Sequence, residues 1–203
     1  ETIRGIVANQ LATLFGANLG PAEGVSPPYL PGTQTLPPRF AGVRVLVRDP
    51  GGALIAEAPL LYISRTQINF QVPFETSSRT SVLVAVDNND LVSAAEPVAL
   101  AAVAAGLFAY GANRAVAQNQ DFSLNQPAIP ALRGGVLIAY LTGQGSVVPP
   151  VSTGQAAPAS PLSVATASAT ATIGGVPATV LFLGLTPGLV GLALGSPAED
   201  RRH

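Results

Sequence analysis

The segment Val164-Ala-Thr-Ala-Ser-Ala-Thr-Ala-Thr-Ile173 decides the fold class. Ala165, Ala167, Ala169 and Ala171 alternate with Thr166, Ser168, Thr170 and Thr172. An extended chain of period two therefore puts small apolar groups on one face and hydroxyls on the other. Gly174-Gly175 follows and reads as a turn.

The same alternation recurs elsewhere in the chain. Val43, Val45 and Val47 alternate with Arg44, Leu46 and Arg48, and Asp49-Pro50-Gly51-Gly52 then turns the chain into Ala53 to Ala58. Ile68, Phe70 and Val72 alternate with Gln67, Asn69 and Gln71, and Pro73 ends that run. Val82, Val84 and Val86 lead into Asp87-Asn88-Asn89-Asp90, after which Leu91 to Ser93 lead back out. Alternating runs bounded by Gly, Pro, Asn and Asp predict an all-β sandwich or barrel. Helical periodicity is nearly absent. Residues 21–38, with Pro21, Pro27-Pro28, Pro31 and Pro37-Pro38, read as a long ordered loop without ladder pairing.

Composition limits function. The chain of 203 residues has no Cys, Met or Trp, its ten basic residues are all Arg, and its one histidine is His203. These absences exclude thiol nucleophiles, disulfide scaffolds, Cys/His zinc sites, Lys Schiff bases and a His-based triad in the body of the chain. Charged residues make up 10% and the formal net charge is −1, which leaves no basic face to follow phosphates, so nucleic acid is excluded as a partner. Two apolar stretches resemble membrane spans. Val98 to Ala112 falls short of the ~20 residues a bilayer core requires. Ile173 to Pro197 is broken by Gly174-Gly175, Pro177, Pro187-Gly188, Gly191 and Gly195. Neither predicts a transmembrane helix. Glu1-Thr-Ile-Arg-Gly lacks the features of a signal peptide, so the chain is expected to start mature or to stay inside. Its wealth of Ser, Thr, Pro and Ala, without Lys or Met, suits an exported protein.

An internal repeat organises the strands. Leu14-Phe-Gly-Ala-Asn-Leu-Gly20 aligns with Ala139-Tyr-Leu-Thr-Gly-Gln-Gly145, and Ala58-Pro-Leu-Leu-Tyr-Ile63 aligns with Ala178-Thr-Val-Leu-Phe-Leu183. This predicts two tandem β-sandwich domains: residues 1–105, a connector or hairpin over 106–132, and 133–203. The second is expected to lack its last strands, because few residues follow Leu183.

Several segments together resemble a known family: Leu61-Tyr-Ile-Ser-Arg-Thr-Gln-Ile-Asn-Phe-Gln-Val-Pro73, Ala105-Gly-Leu-Phe108, Asn119-Gln-Asp-Phe-Ser-Leu-Asn-Gln-Pro-Ala128 and Gly174-Gly-Val-Pro-Ala-Thr-Val-Leu-Phe182. They are similar to the uncharacterised immunoglobulin-like C-terminal domain of large secreted acidobacterial proteins, the Solibacter C-terminal domain family. The resemblance implies an immunoglobulin-like fold and an extracellular or cell-surface location, and implies no activity. The chain departs from that family in two places. The family usually has another strand before the equivalent of Val7, and it usually continues past the equivalent of Gly191-Leu192 with a second Gln-x-Asn-x-Gln-Val-Pro strand. Here Ala193 onward diverges.

Candidate sites are few. Asn119, Asp121, Ser123 and Asn125 alternate oxygen-bearing side chains as a calcium loop begins, but with one carboxylate they read as a backbone-bonding turn. Asp87-Asn88-Asn89-Asp90 reads as a hairpin tip, and Gly143-Gln-Gly-Ser146 as a turn without the Lys of a phosphate loop. No motif brings together any two of Glu57, Glu75, Asp87, Asp90, Glu96 and Asp121. No catalytic residue, metal site or cofactor is therefore expected. Gln67, Asn69 and Gln71 form an exposed amide ladder.

The strongest functional signal is charge patterning. Residues 134–198, a run of 65, contain no charged side chain. A domain normally keeps charge at its surface, so this half is expected to meet protein. The first expectation is a non-catalytic extracellular structural protein that self-assembles as a filament or surface layer. In it a neighbour's strand, best supplied by Thr2 to Ala8 through Ile3, Ile6 and Val7, would cover Val180, Phe182, Leu185, Val190 and Leu192. The alternative is a secreted module that binds carbohydrate or a surface partner through loop 21–38, Tyr29, Tyr62, Tyr110 and Tyr140.

Overall fold

The computed structural model describes residues 5–111 and 114–199. Within them the chain is all-β, and its one helical element is a single 3-10 turn at Phe74–Thr76. The first half carries β1 (Leu11–Phe15), β2 (Arg39–Phe40), β3 (Val43–Arg48), β4 (Leu54–Ala58), β5 (Leu60–Ile63), β6 (Gln67–Gln71), β7 (Ser81–Asn88), β8 (Leu91–Val92) and β9 (Glu96–Ala99). These make two antiparallel sheets. One has the order β1-β6-β5, and in the other β3 and β7 are flanked by β2 and β4 on one side and by β8 and β9 on the other.

The alternation in the sequence explains how the two sheets meet. Val43, Val45 and Val47 of β3 and Val82, Val84 and Val86 of β7 all point inward, with Val45 opposite Val86 and Val47 opposite Val84. They pack against Leu60, Ile63, Ile68, Phe70 and Val72, all buried in one core. Burial at ~1.5–3 kcal/mol per large aliphatic side chain makes this cluster the dominant source of stability. Tight turns join the strands. Asn89 and Asp90, at φ 52° and 67°, form the two-residue connection between β7 and β8.

The second half carries β10 (Gly106–Leu107), β11 (Ala109–Tyr110), β12 (Arg114–Ala115), β13 (Ala117–Gln118), β14 (Ile138–Thr142), β15 (Val147–Val148), β16 (Val164–Ala165), β17 (Ala171–Ile173), β18 (Val176–Leu185) and β19 (Ala193–Glu199). Eight of these strands form a single sheet, with β11 and β12 pairing separately. Segment 106–132 is thus no free connector: β10 and β13 both pair with β14.

The repeat has a topological counterpart. In the first half β6 lies between β1 and β5; in the second β19 lies between β14 and β18, and every pairing is antiparallel. Ala193–Glu199 therefore occupies the place of β6 although its sequence shares nothing with Gln67–Gln71. The expectation that the second half lacks its last strands is corrected in part: Ala193–Glu199 forms one further strand, and no described strand follows it. What the second half lacks, among the described residues, is a facing sheet like that built on β3 and β7. Its buried clusters are correspondingly small: Val147, Val151, Ala157 and Leu185 in one, and Ala156 and Val190, joined by Leu36 of the first half, in another.

The deciding segment is also only partly a strand. Val164–Ala165 pairs with β15 and β18 and Ala171–Ile173 pairs with β18, while the residues between them belong to no strand. Both apolar stretches that resemble membrane spans are broken into strands and turns, and no described helix is long and apolar enough to cross a membrane.

Candidate functional site

The two halves meet along a polar seam centred on Gln71. Its place on the alternating face predicts exposure, yet it is only 1% exposed. Its Oε1 accepts the Gly154 N–H at 2.6 Å, and its Nε2 donates to Asn9 Oδ1. The reason is tertiary: segment 151–157 of the second half lies over the end of β6 and buries its last amide. Main-chain bonds from Leu36 N to Gly154 O at 2.8 Å and from Ala156 N to Gln34 O at 2.9 Å fasten the same strap to the proline-rich loop. Thr153 Oγ1 accepts from Phe74 N at 2.8 Å and donates to Glu75 Oε2 at 2.7 Å. Gly154 sits at φ +81°, and a Cβ there would lie 3.1 Å from both Leu36 O and Pro59 Cγ. Glycine suits the close approach and the left-handed backbone together. Gln67 and Asn69 remain half-exposed and bond each other, Gln67 Nε2 donating to Asn69 Oδ1 at 2.8 Å. The exposed amide ladder therefore reduces to two residues.

Beside the seam lies an open cleft of about 810 Å³. Leu11, Pro27, Pro28, Tyr29, Leu36 and Leu61 line it from the first half, and Phe108, Val116, Tyr140, Leu189, Val190 and Leu192 from the second. No lining residue is charged. Tyr140 donates its hydroxyl to Gln118 Oε1 at 2.6 Å, so the ring is held at one wall. Of the four tyrosines named from sequence, Tyr29 and Tyr140 meet here. Tyr62 packs against Gly24, and Tyr110 donates to Asn125 O at 3.3 Å.

The ionisable groups are structural in their geometry. On the outer face of the first half, Arg44 and Asp87 are cross-strand partners, with Arg44 Nη2 at 2.6 Å from Asp87 Oδ2 and Arg44 Nη1 at 2.8 Å from Glu57 Oε1. Arg39 approaches the same Glu57 oxygen at 3.0 Å. Desolvation is the largest single influence on Glu57 and works upward, but hydrogen bonds from Arg44 and Arg39 and their charges outweigh it and hold the carboxyl below its ordinary value. In the Asn119–Asn125 loop, Asp121 Oδ1 accepts from Ser123 Oγ at 2.6 Å and from Ser123 N at 3.0 Å, which lowers its pKa. Asn125 Nδ2 donates to Asn119 Oδ1 at 2.9 Å. The oxygens that would begin a calcium loop thus serve their own turn. Among the described residues no three His, Cys, Asp or Glu side chains group together.

The residues expected at a subunit interface fall into distinct places. Ile3 lies outside the described residues. Ile6 donates its N–H to Ala99 O at 3.0 Å and accepts from Ala101 N at 2.9 Å, and Val7 is 1% exposed. Of the segment expected to be lent to a neighbour, the described residues Ile6 and Val7 are already engaged within the chain beside β9, which corrects the expectation for them. Leu185 and Val190 are buried within the chain, and Val180, Phe182 and Leu192 are half-buried. The apolar groups left open are others, among them Leu132 at 84%, Val148 at 62% and Leu181 at 59% exposure. Leu181 is displaced by a bulge between Val180 and Phe182. Alternation alone places it in register, so the bulge is the signal that sequence reading misses.

Compared with known protein families, curated proteins and solved structures, the chain matches none.

Proposed function

We propose that this chain is a non-catalytic structural protein of the cell exterior that works by associating with copies of itself through its second half. The observation that carries the reading is a broad sheet with small buried clusters and no facing sheet among the described residues. Most of its strands lie within residues 134–198, which hold no charged side chain. Exposed Leu132, Val148 and Leu181 lie in or beside that stretch, where a lone domain ordinarily carries charge. Burying such side chains against a second copy is worth ~1.5–3 kcal/mol each when complete. The immunoglobulin-like resemblance and the exported composition support an extracellular setting. Strand donation from residues 2–8 forms no part of the reading.

Light scattering of the full chain, from low micromolar to the highest soluble concentration, tests it. Mass rising with concentration is expected, strengthened by sulfate, which favours apolar burial, and weakened by Leu181→Asp. A constant monomer mass across that range would defeat the proposal.

A second reading is favoured by the cleft between the halves: a secreted module holding an uncharged ligand against Tyr29 and Tyr140. A chain that stays monomeric but is retained on polysaccharide, with retention lost in Tyr140→Ala, would support it over self-association.

A further inference from the structure

We infer that the edge formed by residues 166–173 is a pairing edge, which joins the same edge of a second copy in an antiparallel sheet. The inference rests on the self-association reading and names the surface that performs it.

The unpaired side chains and main chain along this edge carry the inference. β17 pairs with β18 on one side through Ala171↔Ala178, Thr172↔Pro177 and Ile173↔Val176, and no described strand pairs with its other side. Gly174 and Gly175, at φ 58° and 86°, close the hairpin as a two-residue turn and hold β17 at the rim of the sheet. Upstream, Thr166 N donates to Ser146 O at 2.9 Å, and residues 167–170 belong to no strand although their Ala/Thr alternation is that of one. The chain therefore presents eight residues of strand pattern of which three are paired, on one side.

Three other edges of the molecule differ from this one. Exposed edges invite pairing with other chains and are commonly blunted by charge or proline. In the first half β4 carries Glu57, and β9 carries Glu96 and Pro97. In the second half β15 ends at Pro149-Pro150. Residues 166–173 have no charge, proline or glycine. Their hydroxyl-rich face and their small alanines let two such segments approach closely, and no like charges oppose the contact. A second copy of the same segment is the occupant that satisfies this pattern on both sides: an antiparallel pair related by a twofold axis returns each unpaired main-chain group to a ladder.

Because the chain has no cysteine, a single introduced thiol reports on the pairing. Thr170→Cys is expected to form a disulfide-linked dimer under mild oxidation, whereas Thr33→Cys, equally exposed but in the first half, is not. Thr170→Lys and Ala169→Pro are expected to weaken association by at least about tenfold while leaving the thermal melt of the monomer near that of the parent. If the parent associates but both variants associate equally well and Thr170→Cys gives no excess of cross-linked dimer, the edge is not the contact, although self-association stands. If the parent is a monomer at every concentration, the edge proposal and the reading beneath it both fail.

Discussion

Replacing Gln71 with Ala tests the claim that the two halves are locked together by a buried amide. The substitution removes two hydrogen bonds and leaves two groups without partners: the Gly154 N–H, now donating at 2.6 Å, and Asn9 Oδ1. Asn9 is itself 2% exposed and its Nδ2 already has no partner, so water has little access to repair the loss. Each buried polar group left unsatisfied costs about 1–3 kcal/mol, and the space left by the removed Cγ methylene and carboxamide adds a cavity cost. The expected loss is about 3–5 kcal/mol, a large share of the ~5–15 kcal/mol that holds a typical domain together. Urea denaturation followed by circular dichroism measures the total, and hydrogen exchange at the Gly154 amide measures the local part. Exchange at Gly154 should accelerate more than at β3 and β7, because the strap is released while the first core keeps its valines. A loss below about 1 kcal/mol, or a Gly154 amide as protected as before, would refute the assignment of Gln71 as the latch between the halves.

The remaining predictions concern the charged groups. Arg44→Ala leaves Asp87, 2% exposed, as a buried carboxylate without its partner. Urea titration should register a clear loss of stability, smaller than for a wholly buried pair because Arg44 is partly in solvent. Glu57 is held below its ordinary value, so its contribution to stability is present above the usual carboxylate range and disappears as pH falls through the lowered folded value. Glu57→Gln should flatten the acid limb of a melting-temperature profile, and an unchanged limb would contradict the pairing. Asp121→Ala removes acceptors for Ser123 N and Oγ. It should lower the melting temperature slightly and leave the parent and the variant equally indifferent to calcium in a thermal melt; a calcium-dependent shift seen only in the parent would point to a metal site.

Much of the architecture was legible in short-range pattern. Val43–Val47 and Val82–Val86 alternate, and alternation sets which side of a strand enters the core before any partner is known, because successive side chains leave a strand on opposite faces. Asp87-Asn-Asn-Asp90 identifies its hairpin, because Asn and Asp tolerate the positive φ that a two-residue turn demands. The cross-strand ion pair and the cleft were not legible, since each needs residues far apart in sequence: Arg44 meets Asp87 only after β3 and β7 pair, and Tyr29 and Tyr140 line one cleft only after the halves close.

Three features were decided by the tertiary structure against the local pattern. Gln71 continues an exposed alternation and is buried, because the strap from the other half covers it. Ala193–Glu199 has none of the character of Gln67–Gln71 and yet takes its place, because the slot between β14 and β18 supplies main-chain partners on both sides, and backbone hydrogen bonds do not depend on side-chain identity. Val164–Ile173 has the most regular alternation in the chain and is strand only at its ends, because β18 pairs with it only at Val164 and at Ala171–Ile173, and no described strand lies beyond β17. The sequence by itself determined that the chain is β, which side of most strands is apolar, and that residues 134–198 carry no charged side chain. Partnership, register across the halves and the identity of the unpaired edge came from the folded structure, because a strand's pattern specifies its faces while only its neighbours specify its edges.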